Sequence, residues 1–215
     1  MSRTMVLLLV LAITICCVPS MAQQPAEWTI TANLRDSADS SGNDYQIERE
    51  MEPGTFVCNS SSNYWVWRLA TGEADFTATQ ADHVANWVEF HTNMSKQLLK
   101  APASMNYNCF PYALGTALVW FQGAGLPACI LNEVWTEKDI DDYDVLAAGD
   151  VLMNYDSQGE LRHGSRVVLW FYFYGFPVYG CKGKYGYAGV YLTGTSLPAT
   201  YYNLSFGDSK LFAHN

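Results

Sequence analysis

Apolar periodicity predicts an α+β domain for this chain. Three features carry that expectation. Ala81, Val84 and Val88, followed by Leu98 and Leu99, recur at helical intervals. A second apolar stretch at residues 106–123 follows a polar turn and stops at Gly123. From Asp144 onward, apolar runs alternate with Gly-containing turns, as in an antiparallel meander.

Taken in order, the first element is an export signal at residues 1–22. Arg3 supplies the positive end, residues 5–18 (MVLLLVLAITICCV) the apolar run, and Ser20 and Ala22 the small residues that a signal peptidase reads. That run is shorter than the ~20 apolar residues of a spanning helix. The expected location is therefore secreted, periplasmic or extracellular, with no membrane attachment after cleavage. Residues 23–53 read as a polar, loop-like segment with one short strand at 28–32, and residues 54–215 as a single domain.

Within that domain, residues 55–58 and 64–68 form a hairpin. A helix follows, capped by Thr79 or Asp82 and closed by Pro102. In residues 106–123, Pro111 belongs to the first turn of the next helix, which places Cys109 at its start. Residues 151–155 and 161–173 are strands joined by a turn at 156–159. Residues 175–177 turn the chain again, and 178–181 with 187–192 complete another hairpin.

Cleavage of 22 residues from 215 leaves 193, enough to enclose a core. The leader holds one of the 12 basic residues and none of the 21 acidic ones, so the formal charge moves from −9 to −10. Such a surface repels phosphate backbones and excludes nucleic acid as a partner.

Four cysteines survive cleavage: Cys58, Cys109, Cys129 and Cys181. They lack CxxC spacing, and His83 and His91 stand eight residues apart, so no metal site is expected. His83 and His91 read as surface or packing residues. The cluster Asp139, Asp141, Asp142 and Asp144 does not fit a calcium loop and reads as solvated. Asn59, Asn93 and Asn203 each open an N-x-S sequon.

Cys109 carries the chemistry. Unpaired N–H groups at a helix start favour a thiolate, and a thiolate is a nucleophile. It needs an imidazole partner, and His163 follows 54 positions later at the start of a strand. If Cys109 stays a thiol, three cysteines remain and at most one bridge forms. The expected bridge joins Cys129 to Cys181, leaving Cys58 buried as a small apolar group.

Four short strings in fixed order strengthen the pair. Residues 107–115 (YNCFPYALG) resemble the "N-C-x-x-Y-A" start of the nucleophile helix in papain-like cysteine amidases and peptidases, the group that includes NlpC/P60 and CHAP domains. Residues 146–152 (LAAGDVL) look like their "L-x-x-G-D-v" strand start, and His163 matches their catalytic histidine. Gly183-Lys184-Tyr185-Gly186 with Gly189-Val190-Tyr191 is similar to a "S-K-W-G-x-x-G-x-Y" segment of some secreted members. The resemblance covers residues 105–192.

It implies a papain-like fold, with the nucleophile helix packed on a small antiparallel sheet. It implies hydrolysis of peptide or amide bonds, with cell-wall or other extracellular material as the candidate substrate, and no metal or organic cofactor. Cys109 would be the nucleophile and His163 the base. Asn106, Asn108 and Tyr179 are the candidates for orienting the base or stabilising the oxyanion.

A non-catalytic alternative stands beside this reading. Residues 170–174 (WFYFY) alternate faces in a strand, so both faces carry rings. One face must meet core, and the other needs a cover or a ligand such as peptide or glycan. The alternative is an inactive secreted binding module.

Overall fold

A computed structural model describes residues 28–59, 62–92, 94–116, 118–138, 146–193 and 206–215. The export signal, Asn93, Asn203 and the Asp139 to Asp144 cluster lie outside the described residues. No helix among the described residues is long and apolar enough to cross a membrane.

The expected α+β class, with a nucleophile helix on a small sheet, is overturned. The protein is mostly β, built on two antiparallel sheets. One has four strands, in the order β1 (Trp28–Arg35), β2 (Asp44–Asn59), β3 (Ser62–Leu69) and β5 (Trp120–Phe121). The other has seven. Its order is β4 (Leu99–Ala101), β10 (Val190–Thr193), β9 (Phe176–Lys184), β8 (Leu161–Phe173), β7 (Val151–Asp156), β11 (Phe206–His214) and β6 (Trp135–Lys138). Three α-helices accompany them among the described residues: α1 (Ala78–His91), α2 (Cys109–Leu114) and α3 (Gly125–Val134).

Two sequence segments account for the difference. The polar stretch from residue 28 to 53 is two paired strands joined by a loop at residues 36–43, not a loop with one short strand. In β1, buried Ile30, Ala32 and Leu34 alternate with more exposed neighbours. In β2, Met51 is buried while Glu48, Glu50 and Glu52 point the other way along a 16-residue strand. Composition reads this as solvated chain, but a strand buried on one face needs apolar residues only at every second position.

The second segment is the region after Cys109. Its apolar run does not continue as helix to Gly123. α2 stops after six residues at Gly115, whose φ of 68° closes the helix in the left-handed region. Trp120 and Phe121 then extend the small sheet beside β3. What rests on the large sheet at Cys109 is therefore fewer than two helical turns.

α1 is capped by Thr77 rather than Thr79 or Asp82. Gln80 N–H donates to the Thr77 hydroxyl, and the Gln80 side chain accepts from the Thr77 N–H. The helix ends at His91, and Leu99 starts a strand. Buried Val84 and Val88 of α1 join Leu34, Met51, Trp67 and Met105 in one apolar cluster. A second cluster gathers Phe110, Phe121, Leu126, Val151 and Met153 beneath α2 and α3.

Candidate functional site

Cys109 is the first residue of α2 and is buried. Asn108 precedes it but makes no side-chain cap. Its amide instead donates to the Phe121 carbonyl at 2.9 Å and so holds β5 in place. The helix is seated by Gly164. A Cβ there would lie 3.1 Å from the Ala113 Cβ and 2.9 Å from the Met153 sulfur. Arg166 fixes the other end of α2 by donating from Nε to the Ala113 carbonyl at 2.9 Å.

This seating brings Cys109 against β8. The N–H of Gly164, the residue after His163, donates to the Cys109 sulfur. The structure thus places the two sequence-predicted residues in one locality. His163 is fully buried, its ring stacked on Tyr185 with centroids 4.9 Å apart. It fits there because residue 183 is glycine; a Cβ would sit 3.0 Å from the His163 Nε2.

The electrostatics favour neutral groups. Burial pushes the Cys109 thiol up to about 11, against the pull of the Gly164 N–H, its own helix-start N–H groups and the Lys184 charge. Burial pulls His163 down to about 3. At neutral pH both groups are uncharged, one a thiol and the other a neutral imidazole.

The orienting residues expected from sequence are engaged elsewhere. Asn106 donates its amide to Asp75 at 2.7 Å, within a knot where Asp75 also accepts from the Ser104 hydroxyl and the Met105 N–H. Asn108 holds β5. Tyr179 pairs with Leu169, six residues up β8 from His163 and so roughly 20 Å away along the strand.

Sequence reasoning gave Lys184 no role, yet it lies at the centre of this region. Its ammonium is fully buried and donates to the Ser104, Gly186 and Ala188 carbonyls at 2.8, 2.8 and 2.9 Å. The Tyr107 ring lies 4.9 Å from Nζ. Burial pulls Lys184 down to about 7, while Asp75 and Cys109 act in the opposite sense. Three carbonyls match the three N–H bonds of the charged form. The flanking glycines of Gly183-Lys184-Tyr185-Gly186 were the available sequence signal.

The expected Cys129 to Cys181 bridge is also overturned. Cys58 is bonded to Cys129, tying the end of β2 to α3, and Cys109 and Cys181 are free and buried. Glu133 is the third member of the only potential metal-binding group among the described residues, but the two sulfurs beside it are joined to each other.

A different surface is prominent on the far half of β8 and β9. β7 pairs with β8 only as far as Arg166, and β10 with β9 only from Cys181. Beyond them, among the described residues, β8 and β9 run on as a two-stranded ribbon. A register shift between Leu169 and Phe171 puts exposed Phe171 and Phe173 on one face and exposed Leu169 and Tyr172 on the other, with Tyr174 at the turn. Tyr172 and Tyr174 are 66% and 88% exposed. Its turn consists of Tyr174 (φ 49°) and Gly175 (φ 83°), both left-handed. Among the described residues, Tyr174 is the one non-glycine with positive φ.

No family model, no curated protein and no solved structure matches this chain.

Proposed function

We propose that this protein is an exported binding module that engages a glycan through the tip of the β8–β9 ribbon. The carrying observation is Tyr174. It occupies a left-handed turn position that favours Asn, Asp or Gly, and a bulky residue there costs on the order of 1 kcal/mol. The residue is almost wholly exposed and its ring meets the exposed Phe173 ring edge-on, 4.5 Å between centroids, so burial in a core does not repay that cost. The ring's use lies outside the fold.

Glycan is the ligand class that fits the tip best. No charged residue occurs between Arg166 and Lys182, so the tip offers no ion pair to an ionic ligand. Tyr rings stack on the C–H faces of sugars and their hydroxyls bond to sugar hydroxyls. The acidic body disfavours anionic lipid surfaces.

The test is depletion of the mature oxidised protein from solution by suspended cellulose, chitin, mannan or peptidoglycan. At least one should remove the wild type, and Tyr172→Ala combined with Tyr174→Asn should remain in the supernatant. Equal depletion of both proteins, or none of either, would sink the reading. Loss of the protein to phosphatidylcholine vesicles or to an immobilised peptide instead would reassign the tip.

A second reading, cysteine-dependent hydrolysis of peptide or amide bonds, is supported by the N–H of Gly164, the residue after His163, directed at the Cys109 sulfur. It requires the interior to open to substrate. Iodoacetamide at pH 8 should then label native Cys109 within minutes, and Cys109→Ala should abolish hydrolysis of a casein or peptidoglycan substrate. Labelling only after denaturation would dispose of it.

A further inference from the structure

Away from the ribbon, a cleft of about 460 Å³ opens where α1 crosses the start of β2. Asn33, Asp44, Tyr45, Gln46 and Trp87 line it. β1 and β2 place three of these side by side, because Asn33 pairs with Gln46 and Arg35 with Asp44. α1 supplies the rest of the arrangement through His83, Trp87 and His91. These residues are four apart and so stack along one face of the helix.

The polar lining is held by partners behind it. Asp44 accepts from Arg35 and meets the His91 Nε2, both at 2.7 Å. The Tyr45 hydroxyl is 2.6 Å from the His83 Nδ1. Gln46 donates its amide to the Asn33 side chain at 2.7 Å, and the Tyr187 hydroxyl receives the Asn33 N–H at 3.0 Å. Trp87 is braced by the His91 ring, 4.9 Å away and tilted by 34°. Surface side chains with this much support are already ordered for a ligand, which removes part of the entropic cost of binding.

We infer that this cleft binds one or two sugar rings of a neutral saccharide. The Trp87 ring offers a flat apolar face, while Asp44, Gln46 and Asn33 offer planar donors and acceptors suited to neighbouring hydroxyls. A lipid tail would take water from three polar side chains and give nothing polar in return. A phosphate or sulfate would meet the Asp44 carboxylate, whose affinity for protons is held below the usual range chiefly by the Arg35 hydrogen bond. A cation would compete with Arg35 for that carboxylate. The inference rests on the glycan-binding reading and adds a second contact point that selects among sugars.

The experiment is calorimetric titration of the mature oxidised protein with cellobiose, chitobiose, mannobiose and lactose, up to about 10 mM, the weak end of measurable affinity. Choline serves as the cationic control. One disaccharide should bind. Gln46→Ala, at an exposed position, should weaken it at least about tenfold, and Trp87→Ala should abolish it, with recovery in Trp87→Phe. The ribbon variant Tyr172→Ala/Tyr174→Asn should bind the disaccharide as the wild type does. Unchanged affinity in Gln46→Ala, or binding of choline alone, overturns the cleft. No disaccharide binding by a protein still depleted by polysaccharide also overturns the cleft and leaves the ribbon reading standing. Failure in both assays removes both.

Discussion

His163 should make the fold acid-labile, by an amount that can be worked from its position. An unfolded histidine takes up its proton near pH 6.5, whereas burial holds native His163 down to about 3. Between those values the unfolded chain binds a proton that the native chain refuses. The stability contributed by neutral His163 is complete above pH 6.5 and is lost as the pH falls towards 3. The loss accrues at about 1.4 kcal/mol per pH unit, so at pH 4.5 it is about 3 kcal/mol, and over the full window about 5 kcal/mol. That is a large part of an ordinary domain's ~5–15 kcal/mol. Carboxylates add their own acid sensitivity; Asp156, for example, is held below the usual range by the Glu160 N–H and the Arg162 side chain. That part is common to wild type and a His163→Gln variant and cancels in the difference. Urea unfolding of both proteins at pH 7 and pH 4.5 gives the comparison. The variant's stability should fall by about 2–3 kcal/mol less than the wild type's. Equal losses would refute the claim that His163 is buried in its neutral form.

Other consequences follow from the same packing. Tyr174→Asn should raise native stability by about 0.5–1 kcal/mol, or a few degrees in Tm, while weakening polysaccharide depletion; a lowered Tm would show that Tyr174 packs rather than strains. Lys184→Met strips three buried carbonyls of their donor and should cost about 3–5 kcal/mol in denaturant unfolding, with no rescue by the planar guanidinium of Lys184→Arg. Cys58→Ser with Cys129→Ser should cost about 4 kcal/mol from chain entropy alone, measured the same way. Mass spectrometry of the unreduced protein should find alkylation at Cys109 and Cys181 only after denaturation.

The later half of the fold was more legible in sequence than the earlier half. The turn at residues 156–159 and the strands on either side could be read because short apolar runs met a Gly-containing turn. β2 could not, since its buried side is sparse and its exposed side carries Glu48, Glu50 and Glu52. The length of α2 was hidden because the apolar residues after Gly115 suit a strand as well as a helix.

The candidate site divides in a similar way. Local strings put Cys109 and His163 in one neighbourhood, but whether they reach solvent depends on Gly164, Gly183 and Tyr185. The cleft at Trp87 was beyond local reading. His83 and His91 looked like unrelated surface residues until β2 brought Asp44 and Tyr45 beneath them.

The bridge between Cys58 and Cys129 has a mechanical consequence. It closes a covalent ring across a sequence separation of 71, and that ring contains β3, α1, β4 and α2. If the chain is pulled from its ends, tension passes through the sulfurs and bypasses everything inside the ring. Roughly 250 Å of contour length stays hidden while the bridge is intact. A protease or translocating motor that drags on either end can unravel β1 or β11, but Cys109 stays inside a loop that force alone does not open.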